Sequence, residues 1–191
     1  MAKPLRMTGV FQVFSRLQWF VVVTAIYVIC HGLTAWVVTP IQNLFLPEIT
    51  VFASLVYLPH GVRVLCVWLF GWRACLPLVA GAFLSELMFT DAGVRHLMQP
   101  VSWQSIGVGA VSALVAFELF RLAGRDPYAG RARHLAWSEL LTLGALASVI
   151  NSLGQLLVFS GLIFPDNQLL VMAVYAAGDL IGLGVCMFGL M

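Results

Sequence analysis

The chain has 191 residues, of which 61% are hydrophobic and 9% charged, with a formal net charge of +2 and a mean hydropathy of +0.98. Soluble domains carry about 25% charged residues, so this chain lacks the polar surface to clothe a water-soluble globule. The same composition excludes disordered, collagen-like and coiled-coil organisations, and the charge balance gives no argument for a nucleic-acid partner.

What fits is an all-α, polytopic integral membrane protein, a single domain over residues 1–191, whose immediate partner is the lipid bilayer. A span needs about 20 mostly apolar residues. In chain order the predicted spans are 19–38, 49–70, 75–90, 106–120, 137–163 and 169–191. The second is interrupted at Pro59-His60-Gly61, and Pro40, Pro47 and Glu48 make the chain before it irregular. The stretch 47–58 is therefore expected to be a short or re-entrant helix, and the loop 90–104 to carry a short interfacial one. The fifth span is long enough to tilt.

Orientation follows from the basic residues in short loops. Lys3, Arg6 and Arg16 precede the first span, Arg73 follows the second, and Arg121, Arg125, Arg131 and Arg133 follow the fourth, which puts eight of the ten Lys and Arg on one side. Both termini are expected in the cytoplasm. Trp19, Trp36, Trp72, Trp103 and Trp137 fall near span ends, where indole prefers the interface. The loop 122–135 reads as a topology signal in contact with anionic headgroups, with a protein-docking role as the alternative. Glu118 and Glu139, at the cytoplasmic ends of spans four and five, have candidate partners in Arg121, Arg125 and Arg133.

Cys30, Cys66, Cys75 and Cys186 lie in or beside apolar runs with no CxxC spacing. They read as small buried hydrophobes rather than metal or disulfide groups. The first apolar run is too long for a signal-peptide core and no A-x-A-like site follows it, so no cleavable leader is expected. No Walker loop, GxSxG elbow or HExxH is present, no nucleophile–base pair stands out, and no soluble output module fits after the last span. The chain is expected not to be an enzyme.

Ionisable groups inside a span are costly and usually face the bundle interior. Arg63 lies about 15 Å along a helix from Arg73, Glu86 about 16 Å from Cys75, and Asp179 about 15 Å from Leu169. All three depths fall near the middle of a core about 30 Å thick. His60 and Arg63 share a helix face, as do Asn151 and Gln155. Gly178, Gly182 and Gly184 leave room for a backbone beside Asp179. Arg63 is expected to pair with Glu86, Asp179 or both. The six residues His60, Arg63, Glu86, Asn151, Gln155 and Asp179 then form either a ligand-binding polar cluster or an ion pair that fixes helix register. Pro59 removes a backbone donor and Gly61 adds freedom, so this break either lines a cavity or is a plain kink. His31 and His60 lie on adjacent helices, and two axial histidines would suffice for a b-type haem. A core histidine is the commoner explanation, and no metal site is expected. His96 and His134 read as loop surface.

The stretch Tyr57-Leu58-Pro59-His60-Gly61-Val62-Arg63-Val64-Leu65, followed by Trp68-Leu69-Phe70-Gly71-Trp72-Arg73, resembles a pattern of the MASE-type membrane-associated sensor domains. There a helix opens with a Pro-x-Gly turn, ends in a Leu-x-Gly turn, and is followed by a small-residue run, here Gly81-Ala82-Phe83-Leu84. Ala177-Gly178-Asp179-Leu180-Ile181-Gly182 is similar to that family's Gly-Asp-x-x-Gly signature. Six predicted spans stand where the family usually has eight, and Arg63 stands where its pattern has an apolar residue. The resemblance implies a multi-pass sensory module of the bacterial inner membrane that signals through a separate membrane or cytoplasmic protein. A membrane component of a small-solute transporter and a structural subunit of a larger membrane complex are the alternatives.

Overall fold

The computed structural model describes residues 8–47, 54–90, 99–130, 136–159 and 168–189, with side chains described from residue 17 in the first helix and from 172 in the last. All regular secondary structure among the described residues is helical. The elements are α1 (Thr8–Leu33), a π turn (Thr34–Val38), α2 (Thr39–Phe45), α3 (Leu58–Phe70), a 3-10 turn (Gly71–Ala74), α4 (Cys75–Phe89), α5 (Pro100–Leu122), α6 (Trp137–Phe159) and α7 (Gln168–Gly189). Five helical stretches are long and apolar enough to cross a membrane: Leu17–Phe45, Leu58–Phe89, Pro100–Leu122, Trp137–Phe159 and Met172–Gly189.

The first stretch runs past its expected end at residue 38. A proline in a helix interior lacks its N–H and collides with the preceding turn. Here the π turn widens the backbone just before Pro40, and the Thr39 hydroxyl donates to the Thr34 carbonyl at 3.0 Å. The helix therefore passes through Pro40 and continues to Phe45.

The second stretch doubles back on itself. On α1, Trp19 stacks on Phe70 and Tyr27 meets Arg63, so α1 and α3 are antiparallel. Thr24 donates to the Pro77 carbonyl and His31 stacks on Phe89, so α1 and α4 are parallel. α3 and α4 thus form a hairpin that turns at Gly71, whose φ of 60° is a left-handed conformation that favours glycine. The other neighbours follow the same logic. Gln155 meets Ser105 across α5 and α6, and Asn151 meets Asp179 across α6 and α7.

Pro59 is not a break within a helix. It lies in the first turn of α3, where a missing N–H is harmless because that donor has no partner within the helix. Residues 54–57 before it are not helical, and 48–53 lie outside the described residues. The re-entrant helix expected over 47–58 is therefore absent from 54–57. Non-helical backbone at membrane depth requires partners from the protein, and it has them. The Tyr57 N–H donates to the Gly178 carbonyl at 2.9 Å, the Leu55 N–H to Gln42 Oε1 at 2.7 Å, and the Leu58 N–H to the Thr34 hydroxyl at 3.3 Å. This segment lies flat on α7: a Cβ at Gly178 or Gly182 would collide with the carbonyls of Ser54 and Tyr57.

The interfacial helix expected over 90–104 falls mostly on 91–98, outside the described residues; α5 begins at Pro100 rather than 106. Residues 160–163, 190 and 191, the expected ends of the last two spans, are also outside them.

The core is built from Tyr27, Val64, Val67, Leu78, Phe117, Leu143 and Leu183, contributed by every long helix, while one face of each carries exposed leucine, valine and isoleucine. One end of the bundle is basic. There the Ala129 N–H donates to the Trp68 carbonyl, Arg121 pairs with Glu118 at 3.3 Å, and Arg125 pairs with Glu139 at 3.6 Å. Arg133 lies outside the described residues. The Tyr128 hydroxyl also donates to Glu118, at 2.6 Å.

Candidate functional site

Of the six polar residues singled out from the sequence, Arg63, Glu86, Asn151 and Gln155 line a cavity of about 300 Å3 between the helices, while His60 and Asp179 are not part of its lining. Its lining includes Arg63, Glu86, Asn151 and Gln155, together with Tyr27, His31, Thr34, Ser105 and Tyr175. It follows α1 from Tyr27 to Thr39, a rise of about 18 Å, from mid-bundle towards the end opposite the basic one.

Arg63 sits at the closed end, 5% exposed. Its expected pairing with Glu86 or Asp179 is not what the structure holds. No carboxylate oxygen of the described residues lies within 4.0 Å of it. Nη2 instead donates to the Tyr27 hydroxyl at 2.7 Å and the Tyr57 hydroxyl at 3.4 Å. The guanidinium carbon stands 5.5 Å and 5.4 Å from the centres of those two rings, within the range where an aromatic face attracts a cation. Gly109 on α5 makes room for the group, since a Cβ there would lie 2.6 Å from Nη2.

Asp179 is claimed by α3 and α6 instead. Oδ2 accepts from Asn151 Nδ2 at 3.0 Å and lies 3.3 Å from His60 Nδ1. The other histidine nitrogen, Nε2, lies 3.2 Å from the Gly144 carbonyl. A carbonyl can only accept, so Nε2 carries a hydrogen. Nδ1 lies close to Oδ2 but has no hydrogen-bond partner among the described residues.

Gln155 clamps α6 to α5 by accepting from the Ser105 hydroxyl at 2.9 Å and donating to the Ser105 carbonyl at 3.2 Å. Glu86 accepts from the Thr90 hydroxyl at 2.8 Å. Buried polar atoms without a hydrogen-bond partner among the described residues include Arg63 Nε, Asn151 Oδ1, Asp179 Oδ1 and Ser152 Oγ.

The haem reading does not fit. Both His60 nitrogens face oxygen partners, and the His31 ring lies against Phe89 at 5.7 Å and Tyr57 at 6.1 Å. Among the described residues no cluster of three or more His, Cys, Asp or Glu could hold a metal ion.

Tyr27 and Tyr57 were not legible as site residues from spacing. Tyr27 is buried on α1, and Tyr57 is half-buried in the non-helical segment before α3. No protein-family profile matches this chain, and neither a curated protein nor a solved structure does.

Proposed function

We propose that this chain is a six-crossing inner-membrane protein of bacterial type that binds a small solute inside its bundle and reports occupancy to a separate protein. The observation that carries the reading is the cavity of about 300 Å3 with a buried, carboxylate-free guanidinium at its closed end. A register-fixing ion pair would be dry and matched, whereas this cation faces a polar space. Pockets for small ligands begin at about this size.

Six crossings are supported by the antiparallel hairpin of α3 and α4, which splits one long apolar stretch into two passes. Cytoplasmic termini are supported by the gathering of Arg73, Arg121 and Arg125 at the end where α1 carries Trp19. The cavity then extends towards the outer face. A sensory role of MASE type rests on the local sequence resemblance around Pro59 and Asp179, and on the hydrogen bond that ties the cavity wall at Tyr57 to the last helix at Gly178.

Native mass spectrometry of the full chain released from lipid nanodiscs tests this. A retained, exchangeable small molecule that is lost in the Arg63→Gln variant is the expected result. A protein that retains nothing but phospholipid, and whose membrane partners are the same with and without added solute extracts, contradicts it.

A further inference from the structure

Resting on that reading of the cavity, we infer that its ligand is a small monocarboxylate, held by its anionic end on Arg63, Tyr27 and Tyr57. The argument is a count of hydrogens. A guanidinium is always charged and carries five donor hydrogens, with no capacity to accept. Nη2 uses its two on the tyrosine hydroxyls. Nη1 has no partner among the described residues and stays open to the space, while the equally unpartnered Nε is enclosed. Each tyrosine oxygen, having accepted, still has its own hydrogen to place. Even if one hydroxyl donates to the other, one O–H remains. The closed end of the cavity therefore offers several donors converging from one cation and one phenol. Planar, paired donors of this kind match a carboxylate.

Charge selects among anions. Arg63 is the sole Lys or Arg lining the cavity among the described residues, and Glu86 lines it too. A doubly charged phosphate would bring two negative charges to one cation, whereas a singly charged carboxylate matches Arg63 one for one. Size sets the upper limit. At about 30 Å3 per water-sized group, 300 Å3 admits an organic acid of about ten non-hydrogen atoms. The hydroxyls of Ser105 and Thr34 and the Gln155 amide along the remaining wall suit an acid that carries a hydroxyl.

The test uses the full chain in nanodiscs, with binding read by thermal shift and by microcalorimetry. The probes are acetate, butanoate and 3-hydroxybutanoate, the neutral butane-1,3-diol, the cation butylammonium, and inorganic phosphate. The expected result is saturable binding of the carboxylates, tightest for 3-hydroxybutanoate and at least about tenfold tighter than for the diol or phosphate. Arg63→Lys, which keeps the charge and loses the fork, is expected to weaken that binding by about tenfold or more, and Tyr57→Phe by severalfold with the fold intact. If the diol, the amine or phosphate binds as tightly as the acids, or if Tyr57→Phe and Arg63→Lys both bind acids like the parent, the carboxylate assignment is wrong while solute binding stands. If no probe binds and native mass spectrometry finds a retained non-acidic molecule, the assignment alone fails. If no probe binds and nothing is retained, both fail.

Discussion

His60 Nδ1 stands 3.3 Å from Asp179 Oδ2, with the two side chains 0% and 1% exposed. Asn151 donates to the same carboxyl oxygen, so one atom of α7 gathers α3 and α6. Three helices meet at this point through polar contacts in a region that is otherwise apolar. In such surroundings a satisfied network is strong and a broken one is costly.

The substitution Asp179→Asn separates shape from charge. An asparagine places either an amide oxygen or an NH2 where Oδ2 stands, so it can serve Asn151 or His60 but not both, and the expected loss of stability is about 1 kcal/mol. Asp179→Ala leaves His60 and Asn151 facing nothing and is expected to cost about 3 kcal/mol. Unfolding in mild detergent, followed by circular dichroism, compares them. Equal losses would mean that the contacts at the Oδ2 position are not what holds the three helices.

Close packing of the segment 54–57 on α7 gives a second expectation. Gly182→Ala drives a methyl group into the Tyr57 carbonyl, a backbone atom that cannot step aside, and is expected to destabilise by about 2 kcal/mol or more. Gly184→Ala, two positions on, meets nothing within 4 Å and is expected to be neutral or to stabilise by up to about 1 kcal/mol through helix propensity. The pair is internally controlled, because both changes are made in the same helix.

At Gly109 the added methyl group meets the end of a long side chain instead, with Arg63 Nη2 at 2.6 Å. The guanidinium can swing away, so the fold is expected to survive Gly109→Ala. Solute binding is expected to fall by about tenfold, since the donors leave their places on the tyrosines. Binding equal to the parent's, in a variant that folds, would show that the guanidinium position does not matter to the cavity.

Tyr128 lies at the basic rim, outside the spans. Burial first, and then its hydrogen bond to Glu118 and that residue's charge, push its phenol well above the ordinary tyrosine value. The folded protein therefore keeps a proton that the unfolded chain releases above about pH 10. The stabilisation is complete below that pH and is lost as pH rises beyond it. Melting temperature from about pH 8 to about pH 11 is expected to drop more steeply for the parent than for Tyr128→Phe, which has no phenol to titrate.

Much of this architecture could be read from the chain directly. Apolar runs located the helices, and the spacing of Glu118, Arg121, Arg125 and Glu139 anticipated the rim pairs. Depth alone brought Arg63, Glu86 and Asp179 to one level, and helix spacing set His60 beside Arg63 and Asn151 beside Gln155. What depth cannot supply is azimuth: which face of each helix turns inward, and how far a long side chain reaches. Arg63 was matched with an acid because opposite charges at equal depth attract, yet Tyr27 on α1 lay closer. The passage of α1 through Pro40 was equally invisible, because it depends on a turn wound wider than usual rather than on composition.

Tyr57 belongs to two structures at once. Its hydroxyl stands against the guanidinium, while its amide is fastened to Gly178, the residue before Asp179. Anything that tugs the phenol therefore acts on a lever only one residue long. The fulcrum is a stretch of chain with no helical ladder to absorb the motion, and the load is α7.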